Sequence, residues 1–215
     1  MDLRWLLTEM RSSVKGQAFP GLIDEGETWW VRDPFHVLVA TVLSQRTRDI
    51  NTYNAASDLF HRFDTPAEMS DAPLEELESL VRPVGFYRAK AKAIKEIARL
   101  VQENGGVPKD IEAMTKWPMV GRKTANCVMA YAFKEPAICV DVHVHRISNR
   151  LGIVSCRTPD ETEQALRKTF PRSLWCDINT TMVRFGQKVC LPRNPRCSEC
   201  PLNKECAYPK NDKKG

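Results

Sequence analysis

Residues 117–125 read WPMVGRKTA, and this stretch decides the fold because it places a tight turn between two helical segments. Pro118 and Gly121 interrupt a first helix near Trp117, and a second helix is predicted to begin at about Arg122. The backbone N–H groups of such a turn, with the start of the second helix, can hold a DNA phosphate without reading a base. The stretch therefore predicts a helix–hairpin–helix motif, although similar turns also occur in proteins that bind no DNA.

Lys123 lies in the first turn of the second helix, next to Arg122. The positive end of the helix dipole and the neighbouring guanidinium both disfavour another positive charge at this position. A lysine that readily gives up its proton is an amine nucleophile, so Lys123 is a candidate catalytic residue. The simpler interpretation, one surface lysine among many, stays open at this point.

Eighteen residues after Lys123, the segment 140–146 reads VDVHVHR and places Asp141 at the predicted start of another helix. The helix dipole favours an ionised carboxylate there, and the same carboxylate serves as a helix cap. His143 and His145 are two residues apart and point to different sides of the helix, which makes them a poor metal-binding pair. Asp141 is thus a candidate for catalysis as well as for capping.

Helical signals extend over most of the chain. Helices are predicted to begin at Asp33-Pro34, Pro73 and Thr158-Pro159, and to end at Gly105-Gly106 and Gly152. Apolar residues recur at helical spacing between these signals, and no two alternating runs are joined by a hairpin turn. The sequence predicts an all-α fold of roughly ten helices.

The composition excludes several classes of protein. The chain of 215 residues fits one large domain or two small ones, and its 42% apolar and 27% charged residues exclude wholesale disorder. No apolar run approaches the ~18 residues needed to cross a bilayer. The N-terminal segment lacks the features of a secretory signal. We therefore expect a cytoplasmic protein with no membrane partner.

The basic residues are unevenly distributed. Lysines and arginines number 32 against 27 acidic residues, and the net charge of +5 is weak evidence for a polyanionic partner. Between positions 184 and 196 the sequence contains no acid and four basic residues: Arg184, Lys188, Arg193 and Arg196. This segment predicts either a basic face for phosphates or simply a well-solvated surface.

Four of the eight cysteines lie within seventeen C-terminal positions, with the spacing Cys190-x6-Cys197-x2-Cys200-x5-Cys206. Four thiolates in one short loop can bind a [4Fe–4S] cluster, which takes one thiolate per iron. A structural zinc also takes four cysteines, but zinc sites usually contain two Cys-x2-Cys pairs and this loop has one. The spacing favours iron–sulfur over zinc and leaves free thiols or disulfides as a further alternative.

The hairpin lysine, the aspartate eighteen residues later and the four-cysteine loop together resemble the endonuclease III family, which comprises helix–hairpin–helix DNA glycosylases with a [4Fe–4S] cluster. The resemblance extends from about residue 30 to residue 208. It implies two helical domains: a six-helix domain over residues 25–137, and a discontinuous iron–sulfur domain formed by residues 1–24 and 138–215. It also implies that DNA lies in the cleft between them.

The same resemblance assigns roles to individual residues. Lys123 and Asp141 match the catalytic lysine and aspartate, and the cysteines at 190, 197, 200 and 206 match the cluster ligands. The segment 43–47 resembles the loop that fills the gap left by a flipped base, through either Gln45 or Arg46, and Phe86 takes the place of a wedge that enters the base stack. The remaining expected DNA contacts are Val120, Gly121, Arg122, His143, Arg193 and Arg196.

One position departs from the family pattern. The family's hairpin normally has glycine at both ends of its turn, whereas this chain has Met119 at the first end. If the backbone there has a positive φ, methionine is strained by about 1 kcal/mol or more. We expect weaker DNA binding from this replacement rather than a loss of chemistry.

The resemblance predicts a bifunctional DNA glycosylase and AP lyase that removes damaged, oxidised pyrimidines from double-stranded DNA and also cuts at abasic sites. A monomer is the default expectation for its oligomeric state. One alternative is a monofunctional glycosylase for thymine or uracil opposite guanine, or for adenine opposite damaged guanine. Those relatives typically lack lysine at the hairpin position, and the adenine enzymes add a C-terminal domain. A further alternative is a non-catalytic DNA-binding iron–sulfur protein.

Overall fold

The computed structural model describes residues 2–16 and 33–208, and every regular element within these ranges is helical, which confirms the predicted all-α class. The α-helices are α1 (Leu3–Ser12), α2 (Pro34–Ser44), α3 (Asp49–Arg62), α4 (Pro66–Asp71), α5 (Leu74–Leu80), α6 (Tyr87–Glu103), α7 (Ile111–Met114), α8 (Arg122–Tyr131), α9 (Val142–Arg150), α10 (Pro159–Thr169) and α11 (Trp175–Lys188). Two short 3₁₀ helices span Arg172–Leu174 and Cys197–Glu199.

Local capping chemistry places several helix ends where the sequence predicts them. The Asp33 carboxylate accepts hydrogen bonds from the first N–H groups of α2, and Pro34 occupies its first position. Thr158 forms a capping box with Glu161 at the start of α10. Gly152, with φ of +73°, follows the end of α9 in a conformation that glycine adopts without strain.

Residues 33–135 form one compact unit that contains α2 to α8, with α7 a single turn of four residues. α2 is buried along nearly its whole length and packs against α3, α6 and α8. A helix that is apolar on all sides must lie in the core of its unit, so α2 is the central helix here. The hairpin between α7 and α8, the loop that follows α2 and the loop that precedes α6 all belong to this unit.

Residues 2–16 and 136–208 form a second compact unit. Its core is built where α1, α9 and α11 pack together, and includes Leu6, Met10, Ile147, Ile178 and Phe185. The predicted domain boundary between residues 24 and 25 lies outside the described residues, and the boundary between residues 137 and 138 stays a prediction. Within the described ranges, no helix combines the length and the apolar character that a membrane span requires.

Candidate functional site

The hairpin begins earlier than the sequence predicts. α7 ends at Met114 rather than near Trp117, because the following N–H groups of Lys116 and Trp117 bond carbonyls three residues back instead of four. α8 then begins at Arg122, as predicted, with Gly121 as an N-cap that makes no side-chain bond. The start of α8 therefore presents backbone N–H groups with no capping side chain over them, which suits an anion.

The backbone at Met119 adopts the left-handed conformation, with φ of +59°. This is the positive φ for which strain is expected from the sequence, because a Cβ in the left-handed conformation costs roughly 1–2 kcal/mol. The Met119 carbonyl accepts a hydrogen bond of 2.8 Å from the Gln45 side chain, which ties the hairpin to the end of α2.

Replacing Met119 with glycine is expected to stabilise the fold by about 0.5–1 kcal/mol, because the strain of the left-handed conformation exceeds the entropic cost of glycine. We expect tighter DNA binding in the same variant. Denaturant unfolding and titration of a DNA duplex measure the two effects. Met119→Ala retains the Cβ and serves as the control, which should gain nothing. Unchanged stability and unchanged affinity in Met119→Gly would show that the strain has no consequence.

Lys123 is exposed in the first turn of α8, where it borders an open hollow of about 520 Å³. The rest of the hollow is lined by residues of the hairpin and of the end of α2: Gln45, Thr115, Trp117, Met119, Val120, Gly121 and Thr124. A hollow of this size lies within the range of sites that bind small molecules. Val120 itself is buried.

The neighbours Gln45 and Arg46 have different surroundings. The Gln45 amide donates to the Met119 carbonyl and, at 3.4 Å, to the Thr124 hydroxyl. Arg46 is exposed with a φ of +52°, and its guanidinium carbon lies 5.7 Å from the centre of the Phe86 ring. Phe86 also has a positive φ, +58°, and 64% of its surface is exposed. The structure thus brings Gln45 to the hairpin and Arg46 to Phe86.

Asp141 is the N-cap of α9, as the sequence predicts. Its Oδ1 accepts hydrogen bonds of 2.9 Å from the N–H groups of His143 and Val144. The His143 ring lies 3.1 Å from the Arg146 guanidinium, whereas His145 contacts the Thr162 hydroxyl, so the two histidines face different partners. Arg146 also donates to the Cys190 carbonyl, which links the Asp141 helix to the cysteine loop.

The four C-terminal cysteines form no disulfide bonds and together line one cavity. The wall beside them is apolar and includes Ile147, Leu151 and Phe185. Burial raises the pKa of the Cys200 thiol; a backbone hydrogen bond at Leu202 lowers it, and negative charge on the other three sulfurs raises it. A group of bound iron ions would offset this repulsion, and four thiolates match the donor set of a [4Fe–4S] cube.

The spacing of the cysteines suits zinc less well. A structural zinc takes four ligands at about 2.3 Å from a single point, and such sites usually contain two Cys-x2-Cys pairs, whereas this loop has one. In the same loop, Arg193 and Arg196 are both exposed, with Arg196 at 3.9 Å from the Glu199 carboxylate.

Two family models match the chain. The model described as HhH-GPD superfamily base excision DNA repair protein matches residues 39–172, and the iron-sulfur binding domain of endonuclease III matches residues 190–206. Endonuclease III of Thermotoga maritima is 53% identical over 185 residues, which cover 85% of this chain and 87% of the relative. Endonuclease III of Bacillus subtilis is 40% identical over 189 residues, covering 85% of each.

Solved structures with the same fold include complexes with DNA. A trapped covalent intermediate of an endonuclease III with DNA and a non-covalent endonuclease III–DNA complex both give a TM-score of 0.83, at 36% identity, over 95% of this chain and 94% of theirs. A thermostable thymine-DNA glycosylase gives a TM-score of 0.79 at 25% identity, over 95% of both chains.

Proposed function

Because this chain belongs to the endonuclease III family and is a base excision repair DNA glycosylase and AP lyase with a [4Fe–4S] cluster, we propose that it removes oxidised pyrimidines from double-stranded DNA through Lys123. The observation that carries this proposal is the position of Lys123, exposed in the first turn of α8 and at the rim of the open hollow beside the hairpin. A lesion inside the base stack must first flip out, at a cost of a few kcal/mol that is least for a weakly stacked damaged base.

The chemistry assigned to Lys123 proceeds by covalent catalysis. Its amine attacks C1′ of the flipped nucleotide, and the bond to the base breaks with the electron pair leaving on the base. The nitrogen lone pair then opens the sugar to an imine, which acidifies the C2′ hydrogens. Loss of one of these protons expels the 3′ phosphate, so the strand is cut on that side. The Asp141 carboxylate takes the proton from the amine or stabilises positive charge on the sugar.

The remaining site residues are assigned to DNA. We assign the gap left by the flipped base to Arg46 rather than Gln45, because Gln45 is already bonded to the hairpin while Arg46 is exposed. Phe86 enters the stack as the wedge, since its ring is exposed and aromatic rings stack on bases. The hairpin residues Val120, Gly121 and Arg122, with His143, Arg193 and Arg196, are assigned to backbone phosphates.

Cys190, Cys197, Cys200 and Cys206 are assigned as the cluster ligands. A cluster bound to all four thiolates supplies a cross-link, not a redox step, in this scheme. The chain itself then holds Arg193 and Arg196 on a fixed loop between two ligands, where both can reach phosphates. We also assign the protein to the cytoplasm and to a monomeric state.

A second candidate is removal of thymine from mismatches with guanine, which the likeness to a thymine-DNA glycosylase favours. Strand cleavage distinguishes the two candidates, because a glycosylase that uses water as its nucleophile releases the base and leaves the strand intact at the abasic site. The presence of a lysine at position 123 favours the first candidate, the combined glycosylase and AP lyase.

A panel of duplexes tests the proposal: oxidised pyrimidines, a guanine–thymine mismatch, an abasic site and undamaged DNA, each scored for base release and for nicking without alkali. We expect release and nicking together on the oxidised pyrimidines, and nicking of the abasic duplex. Base release from the mismatch without nicking would favour the second candidate instead.

A further inference from the structure

Lys90 is a fully buried lysine in the first turns of α6, with 0% of its surface exposed. Burial lowers its pKa to about 8, so the side chain is still an ammonium group at pH 7. A buried charge costs several kcal/mol unless its hydrogen bonds are satisfied, and an ammonium has three donors. Lys90 has three acceptors, the carbonyls of Leu43 at 2.7 Å and Gln45 at 2.5 Å and the Thr47 hydroxyl at 3.0 Å.

These acceptors lie where α2 ends and the exposed loop begins. The last carbonyls of a helix have no partner within it and carry the negative end of its dipole, which makes them a favourable site for a cation. Lys90 therefore fixes the path of residues 43–47, the loop that carries Gln45 and Arg46. The acceptors are more than forty residues from Lys90 in the chain, so the contact joins two separate segments.

The loop before α6 also binds Thr47. The Thr47 hydroxyl oxygen that binds Lys90 also accepts a hydrogen bond of 3.1 Å from the Gly85 N–H. The backbones approach so closely that a Cβ on Gly85 would lie 2.8 Å from the Arg46 carbonyl oxygen. Arg46 and Phe86 then emerge side by side, each with a positive φ.

We propose that Lys90 is a positioning residue that joins the gap-filling loop (residues 43–47) and the wedge loop (residues 81–86, between α5 and α6) into one rigid unit, so that Arg46 and Phe86 enter the duplex together. The inference rests on the proposed roles of these two residues. Lys90 contacts neither substrate nor the reacting atoms. Its removal should therefore impair the insertion of the loops into duplex DNA and spare the chemistry of Lys123.

The test compares Lys90→Met with a matched control, Lys95→Met. Lys95 lies on the same helix and also donates to two backbone carbonyls, those of Ser70 at 2.6 Å and Ala72 at 2.5 Å, but it does not contact either loop. Single-turnover nicking is measured on a duplex with an abasic site and on a single strand with the same site, which has no base stack to enter. A 2-aminopurine next to the lesion in the duplex reports unstacking.

For Lys90→Met we expect a loss of at least tenfold on the duplex, a reduced 2-aminopurine signal, and a rate within about threefold of wild type on the single strand. Lys95→Met should retain the wild-type ratio between the two substrates. Equal losses on both substrates in Lys90→Met, or the same pattern in Lys95→Met, would overturn the proposal. Failure of the proposed function would instead appear as absent nicking by the wild-type protein.

Thr47→Val provides a milder variant in case Lys90→Met folds poorly. It removes the hydroxyl that bridges Lys90 and Gly85 and leaves the two carbonyl partners of the ammonium in place. We expect the same preference for the single strand, at about threefold. A variant that folds as wild type and nicks both substrates at the wild-type ratio would count against the coupled loops.

Discussion

Substitution of Lys123 by glutamine is expected to abolish the covalent adduct with DNA and to lower base excision by on the order of 10³-fold or more, because the nucleophile is lost. Glutamine has a similar length and helix propensity, and the position is exposed, so the free energy of unfolding should change by less than ~0.5 kcal/mol. Borohydride reduction of a reaction with an oxidised-pyrimidine duplex, followed by denaturing electrophoresis, measures the adduct.

Lys116→Gln is the matched control, because Lys116 is an exposed lysine on the same hairpin, seven residues from Lys123. It should lose some affinity for phosphate and still form the adduct at nearly the wild-type yield. An adduct that persists in Lys123→Gln would assign the nucleophile to another amine. No adduct with the wild-type protein would contradict the lyase mechanism itself.

The helix ends could be predicted from the sequence because capping is a local interaction. Asp33-Pro34 and Thr158-Pro159 each contain their cap within four residues, and the structure confirms both starts. The end of α7 was predicted three residues too late, since nothing in the sequence marks the point where a helix tightens into successive turns. The family is confirmed for a related reason, because short motifs carry the resemblance. The all-α class is confirmed because helical periodicity, like capping, is visible within each segment.

Contacts between distant segments could not be predicted in this way. Lys90 precedes Ile94 by four residues and Ile97 by seven, so it lies on the buried stripe of α6, and this pattern could have indicated a buried lysine. Its acceptors could not be inferred, because they depend on how α2 and α6 pack. The same holds for the bond from Gln45 to Met119, which separates the roles of Gln45 and Arg46.

Backbone strain in the described residues is concentrated in the segments assigned to DNA. Among the described residues, five other than glycine have a positive φ: Arg46, Phe86, Met119, Lys134 and Asn194. The first three belong to the gap-filling loop, the wedge loop and the hairpin, and Asn194 lies between Arg193 and Arg196 in the cysteine loop. Strained residues persist only where the surrounding structure fixes them, and they are frequent in binding sites. Their distribution supports the assignment of these segments, which was made on other grounds.

Substitution of Asp141 by asparagine is expected to lower the rate of excision by about 10²-fold while leaving the fold intact. Asparagine caps a helix about as well as aspartate, so the bonds to the N–H groups of His143 and Val144 are retained. The amide cannot take a proton from the amine and does not stabilise positive charge on the sugar, and proton transfer by a positioned group contributes 10²-fold or more.

Asp141→Ala separates the two roles of this side chain, because alanine removes both the cap and the carboxylate. The free energy of unfolding of Asp141→Ala should be about 1 kcal/mol lower than that of Asp141→Asn, because a helix cap contributes that much. Under conditions where both variants are folded, Asp141→Ala should be no less active than Asp141→Asn. Thermal unfolding and single-turnover excision are measured on the same preparations. Wild-type excision by Asp141→Asn would restrict Asp141 to capping α9, and the acceptor for the proton of Lys123 would then be another group.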